Sequence, residues 1–171
     1  IQDNPLERTG AFRDGSLRTL GYSARGGGAN YGYFVSMGLD DEEGTLPNNS
    51  FKRRTGRVNF NFIPDAKLSV DASVGLYDIG TTLPINDNNI YGFMGGGYLG
   101  RPTTVRIAED GTVTGGFYAA NREYEAISSI ESVDDALRFA PSVTVNYTPV
   151  EWFTNRLVVG GDFTRGHAYQ F

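Results

Sequence analysis

The sequence predicts an all-β fold: an antiparallel, up-and-down segment of a transmembrane β-barrel, with about six long strands and one long outer loop. Three observations predict it. Residues 57–76 alternate between polar and apolar on both sides of a single turn. No window approaches the roughly 18 apolar residues of a membrane-crossing helix, whereas a spanning strand needs about 9–11 residues, half of them apolar. The connections between alternating stretches are short at one end and long at the other.

The hairpin is the clearest element. Side chains on a strand point to opposite faces with a period of two. Val58, Phe60, Phe62, Leu68, Val70, Ala72, Val74 and Leu76 therefore share one face, and Arg57, Asn59, Asn61, Ser69, Asp71, Ser73 and Gly75 share the other. The polar face would make a poor dry core. Residues 63–67 turn the chain.

The other elements are taken in chain order. Residues 1–14 read as an entry segment, with Pro5 ahead of at most one helical turn. A first strand is expected over 17–25, with Leu20, Tyr22 and Ala24 on one face, and residues 26–30 form a glycine-rich turn. The second strand covers 31–40, followed by a polar loop over 41–50. After the hairpin comes a long irregular stretch, 79–137; loops beyond about 12–15 residues usually carry local structure or function. Within it, 104–107 and 112–114 around Glu109-Asp110-Gly111 read as a small hairpin, and 121–131 as a short helix. Alternation resumes over 139–147, turns at 148–152, and closes over 153–165.

Composition narrows the function classes. The 171 residues carry a net charge of −5, which argues against nucleic acid as a partner. Cysteine is absent, removing disulfides, thiolate catalysis and Cys-based zinc sites, and His167 is the single histidine. The chain opens on Ile1 without an initiator Met or signal peptide, as expected of a piece of a longer precursor.

Each motif with possible chemistry has a plainer reading. Gly95-Gly96-Gly97-Tyr98-Leu99-Gly100 satisfies G-x-G-x-x-G, but Arg101-Pro102 and β-branched residues come next where a helix should start, so it reads as a loop. Asp40-Asp41-Glu42-Glu43 offers carboxylates to a hard cation without the spacing of a calcium loop. Asn86-Asp87-Asn88-Asn89 is a turn-forming cluster. Lys52, Arg53, Arg54 and Arg57 invite a phosphate-rich lipid leaflet, against the simpler reading of solvated or lumen-facing charges. No pair of carboxylates and no nucleophile–His arrangement supports catalysis. No catalytic residue, metal ligand or cofactor is expected.

Three passages carry a resemblance. Leu6-Glu7-Arg8-Thr9-Gly10 leads to Ser23-Ala24-Arg25-Gly26-Gly27. Tyr33-Phe34-Val35-Ser36-Met37-Gly38 is followed by Glu43-Gly44 and Asn49-Ser50-Phe51-Lys52-Arg53. Arg138-Phe139-Ala140-Pro141-Ser142 runs through Tyr147-Thr148-Pro149 to Trp152-Phe153-Thr154-Asn155-Arg156 and Gly160-Gly161-Asp162. Together they resemble a SusC/RagA-type TonB-dependent outer-membrane receptor, from the junction of plug and barrel into the first barrel strands. The resemblance covers most of the chain through short, moderately specific motifs. It implies a barrel of about 22 strands closed by a plug, of which this chain supplies only part of the wall. It also implies uptake of oligosaccharides or peptides, a surface lipoprotein lid of the SusD type, and energy relayed through TonB. The plug and the TonB-contacting segment have no counterpart in this sequence.

On this reading Arg57, Asn59, Asn61, Ser69, Asp71, Ser73, Thr144, Asn146, Arg156 and Asp162 face a lumen or a plug. Val58, Phe60, Phe62, Leu68, Val70, Val74, Leu76, Val143, Val145, Leu157, Val159 and Phe163 face lipid. Tyr31, Tyr33, Tyr147, Trp152 and Phe153 belong to an interfacial aromatic girdle, with Phe60 and Phe62 beside them. Two alternatives stand beside it: a soluble β-sandwich or small barrel that binds a ligand, since soluble sheets also have one apolar face, and a plug-free porin-type channel.

Overall fold

A computed structural model of the chain describes residues 12–85 and 129–171, and isolated positions between 92 and 118. The first long strands are β1 (Ser16–Gly27), β2 (Tyr31–Glu43), β3 (Ser50–Asp65) and β4 (Leu68–Pro84). Four two-residue strands come next: β5 (Arg101–Pro102), β6 (Arg106–Ile107), β7 (Val113–Thr114) and β8 (Phe117–Tyr118). The chain closes with β9 (Glu131–Val150), β10 (Phe153–Gly160) and β11 (Phe163–Gln170). The long strands form one seven-stranded antiparallel sheet in the order β1-β2-β3-β4-β9-β10, with β11 also paired to β9. From β1 to β10 each long strand pairs with the next long strand in sequence, so the sheet is up-and-down. It is open: β1 and the β10–β11 line are its two edges.

β10 and β11 continue one register along β9, with Gly160 opposite Ser142 and Phe163 opposite Phe139. The gap between them has a local cause. Gly161 N–H donates to the Pro141 carbonyl at 3.0 Å, but Pro141 has no N–H to return to Gly161. Pro141 lies opposite Val74 on its other side, where antiparallel geometry places a non-bonded pair, so only one ladder bond is lost.

Connections at one end are short: residues 28–30, 66–67 and 151–152. This end is stitched across the sheet. Ile63 N–H donates to Asn30 O at 2.7 Å, and Thr148 N–H to Lys67 O at 2.8 Å. Across the tightest turn, Lys67 N–H donates to Asp65 Oδ1 at 2.7 Å, a side-chain mimic of a backbone turn. At the other end residues 44–49 and 85–130 connect the strands. In the former, Asn48 takes a left-handed φ of 53°, which its short polar side chain tolerates.

Several expected boundaries are corrected. Each long strand from β1 to β9 runs further than its alternation predicted, above all at the long-connection end, whereas the single closing strand expected over 153–165 is split at residues 161–162 into β10 and β11. β4 reaches Pro84 and β9 begins at Glu131, with Ile79 opposite Ala136 and Pro84 opposite Glu131. The expected loop over 79–137 therefore shrinks to 85–130. Charged residues such as Asp78, Asp134 and Asp135 break the apolar rhythm there without breaking the ladder. Residues 50–56 likewise belong to β3. The small hairpin is present as β6–β7, with Arg106 opposite Thr114; β5–β8 extends it with Pro102 opposite Phe117, a pairing that the alternation did not signal. Glu131, placed in the expected helix, is the first residue of β9; residues 121–128 lie outside the described residues. So do residues 1–11 of the entry segment. Residues 12–15 have no regular structure, and Arg13 N–H ties them to Thr45 O at 2.9 Å.

Candidate functional site

The sheet has two chemically distinct faces, and the register makes their composition explicit. On one face, successive rows across the strands read Tyr31, Phe62, Val70, Val145, Leu157; then Gly26, Tyr33, Phe60, Ala72, Val143, Val159; then Ala24, Val35, Val58, Val74, Pro141. The next row is Tyr22, Met37, Gly56, Leu76, Phe139, Phe163. None of these rows contains a charge. Leu68, paired with Tyr147, completes the face beside the turns. All twelve residues expected to face lipid lie on this face, with Tyr31, Tyr33 and Tyr147 beside them.

The band ends abruptly toward the long connections. A mixed row, Leu20, Leu39, Arg54, Asp78, Leu137 and Arg165, is followed by Arg18, Asp41, Lys52, Gly80, Asp135 and His167. Along β9 the apolar positions run unbroken from Leu137 to Tyr147, about 33 Å at roughly 3.3 Å per residue.

Nothing among the described residues covers this face. Leu20, Met37 and Val159 are 67%, 58% and 60% exposed, and among the described residues no large side chain is fully buried. A contiguous apolar surface of this kind is unusual on a monomer in water and marks a surface that meets something apolar.

Aromatic rings line both margins of the band. Trp152 and Phe153 pack edge-on at 6.1 Å beside the β9–β10 turn. Tyr22, Phe139 and Phe163 lie toward the other margin, the last two stacked across strands at 6.2 Å. The expected clustering at the short-turn end is therefore half of the pattern, and Tyr33 sits one row inside the margin. Sequence reasoning misses the second group because its members are far apart along the chain.

The register puts nine of the ten residues expected on the opposite face there, from Arg57 to Arg156, and Asp162, between β10 and β11, joins them by accepting from Arg138. Most cross-strand neighbours there satisfy one another. Asn61 Nδ2 donates to Asp71 Oδ1 at 2.7 Å, Asn146 Nδ2 to Ser69 Oγ at 3.0 Å, and the hydroxyls of Ser73 and Ser142 are 2.8 Å apart. A depression of about 380 Å³ lies over Asn59, Asn61, Asp71, Ser73, Ser142 and Thr144. Beyond it Arg57 Nη2 donates to the Tyr77 hydroxyl at 3.2 Å. The Arg138 guanidinium lies 5.9 Å from the centre of the Tyr77 ring and binds both carboxylate oxygens of Asp162. Tyr77, Arg138 and Ser142 were not expected here; continuing the alternation past residues 76 and 139 finds the first two. Among the described residues the face offers hydrogen-bond donors, acceptors and charges.

Strand alternation also disposes of two charged clusters. Asp40 and Glu42 fall on the polar face and Asp41 and Glu43 on the other, so the four carboxylates cannot converge on one cation. Among the described residues no group of three or more His, Asp or Glu side chains is arranged to hold a metal. Asp40 instead takes two bonds from Arg53, its cross-strand neighbour, both 2.8 Å. The Arg53 and Thr19 hydrogen bonds hold its carboxyl below the ordinary carboxylate value. The basic run divides in the same way: Lys52 and Arg54 lie at the margin of the apolar band, Arg53 and Arg57 on the polar face. Gly95-Gly96-Gly97-Tyr98-Leu99-Gly100 has only Gly95 among the described residues, and the Asn86–Asn89 cluster lies outside them.

Compared with known proteins, the chain matches no protein-family model and no curated protein sequence. No helix among the described residues is long and apolar enough to cross a membrane, which says nothing about crossing by strands.

Proposed function

We propose that this chain is part of the wall of a transmembrane outer-membrane β-barrel, and that the barrel belongs to a TonB-dependent importer of the SusC/RagA type. One observation carries the first half of that reading: an uncovered apolar band crosses every long strand on one face, with polar residues in register on the other. Tilted by about 45°, the apolar run on β9 spans roughly 23 Å, close to the ~25 Å apolar belt of such barrels. The aromatic margins, short turns at one end and long connections at the other fit the same plan. Two open edges in lipid would leave backbone groups unpaired, so further strands complete the barrel in the intact protein.

The importer half of the proposal rests on the resemblance carried by the passages at 6–27, 33–53 and 138–162. The polar face then meets a plug or the solute, and the intact protein takes up oligosaccharides or peptides with a lipoprotein lid and TonB. Binding and gating, with no covalent step, are its chemistry.

The test uses the intact gene product. Resistance to urea and carbonate extraction from outer membranes, and a mobility on denaturing gels that changes on heating, are the expected results. Uptake of an oligosaccharide or peptide nutrient should stop when the gene or TonB is removed. Recovery as a compact monomer in aqueous buffer without detergent contradicts the barrel; uptake indifferent to TonB contradicts the importer.

A further inference from the structure

The chain enters and leaves the sheet at the same end. β1 starts at Ser16, opposite Glu43 and beside the 44–49 connection. Arg13 ties the residues ahead of it to that connection, its N–H donating to Thr45 O at 2.9 Å and its Nε to Gly44 O at 3.2 Å. β11 ends at Gln170, opposite Ser132, and Phe171 N–H donates to Glu131 O at 3.2 Å beside the 85–130 connection. The count of strands explains this: the path β1-β2-β3-β4-β9-β10 has six strand lines, and β11 prolongs the last. Both ends of an even path lie on one side, here the side of the long connections.

We propose that the free edge of β1 pairs, in the intact protein, with an antiparallel strand that directly precedes this segment, so that β1 is not the first strand of the barrel. The inference rests on the membrane reading and goes beyond it by assigning the neighbour of one edge. Outer-membrane barrels have an even number of strands, short turns on the periplasmic side and long loops outside, and both termini stay on the side from which the barrel inserts. A first strand therefore starts at the short-turn end. β1 starts at the opposite end, so an odd number of strands comes before it, the last joined to β1 by an outer connection. The passage from Leu6 into β1 then follows a strand of the wall and does not leave a plug directly. The edge itself suits such a neighbour. Between Arg18 and Arg25 it reads Thr19-Leu20-Gly21-Tyr22-Ser23-Ala24, without the proline or charge that protects a free edge. Exposed Leu20 and Tyr22 carry the apolar band to this edge, and Thr19 and Ser23 carry the polar face. A strand with the same alternation continues both.

The experiment uses the intact gene product in its outer membrane. Asp14→Cys, Thr45→Cys and Ala66→Cys, all at exposed positions, are treated with a membrane-impermeant maleimide on whole cells and again after the outer membrane is opened. Asp14→Cys and Thr45→Cys should label on whole cells, and Ala66→Cys only after opening. The neighbour is then identified with a photo-crosslinking benzoylphenylalanine in place of Thr19 or Ser23, the crosslinked peptide being mapped by mass spectrometry. That peptide should come from the chain ahead of residue 1. A peptide from the chain after residue 171 makes a later strand the neighbour, and a crosslinked dimer makes it a second copy; either overturns the proposal. So does labelling of Ala66→Cys on whole cells with Asp14→Cys protected, which puts the start of β1 on the periplasmic side. A protein that carbonate releases from the membrane fails the membrane reading itself, whatever its labelling.

Discussion

At Gly27 and Gly56 the same substitution meets opposite surroundings. A Cβ on Gly27 would press against the Tyr31 carbonyl oxygen, with Gly32 Cα at 3.0 Å, and both are backbone atoms that cannot swing aside. Gly27→Ala should destabilise by about 1–3 kcal/mol, the usual cost of overpacking. Gly56→Ala has room, and should change stability by no more than about 0.5 kcal/mol. Urea unfolding of both variants in detergent checks the contrast. Asp40 gives a second residue-scale prediction. Its folded carboxyl titrates below the unfolded value because Arg53 and Thr19 hydrogen-bond the charged form. The stabilisation is therefore complete above the ordinary carboxylate range and is lost as pH falls through the lower folded value. Asp40→Asn should remove that part of the acid dependence by losing the stabilisation at neutral pH, so that variant and parent converge as pH falls, as unfolding measured from neutral to acidic pH will show.

The break between β10 and β11 is a property of their neighbour β9. Restoring an N–H at position 141 supplies the missing donor to Gly161 O. Pro141→Ala should slow hydrogen exchange at residues 161–163 and add a protected amide at 141, with a gain limited to about 1 kcal/mol for one ladder bond. Unchanged exchange would mean that Pro141 does not cause the gap. This element also marks how far the sequence could be read. Faces were legible throughout, because a period of two survives any local sequence once a strand is granted; Val58 and Asn59 needed no structure to be parted. Strand ends were not. Lys52, Arg53 and Arg54 look like loop residues, yet they extend β3, since backbone pairing with β2 and β4 is indifferent to side-chain charge beyond the apolar band. Cross-strand partners such as Arg138 and Asp162 were hidden for a different reason: their meeting depends on register between segments, which alternation does not encode.

For the whole molecule, the decisive matter is which side of the sheet meets hydrocarbon. Val58 lies in the middle row of the band and Asn59 is the next residue on the same strand. Val58→Arg should cost about 2–4 kcal/mol in membrane assembly, as a cation near the bilayer midplane does. Asn59→Arg should cost clearly less than Val58→Arg, since its half-buried side chain belongs to the polar face and borders an open depression. The sequence has no cysteine, so single cysteines can be introduced without background. The most direct measurement places a spin label at each position from 57 to 62 in the intact protein in bilayers, and compares collision with oxygen and with a water-soluble nickel complex. A barrel wall predicts an alternation of period two: oxygen-accessible at 58, 60 and 62, and shielded from oxygen at 57, 59 and 61. Six positions all open to the nickel complex, or an alternation in the opposite phase, would contradict it.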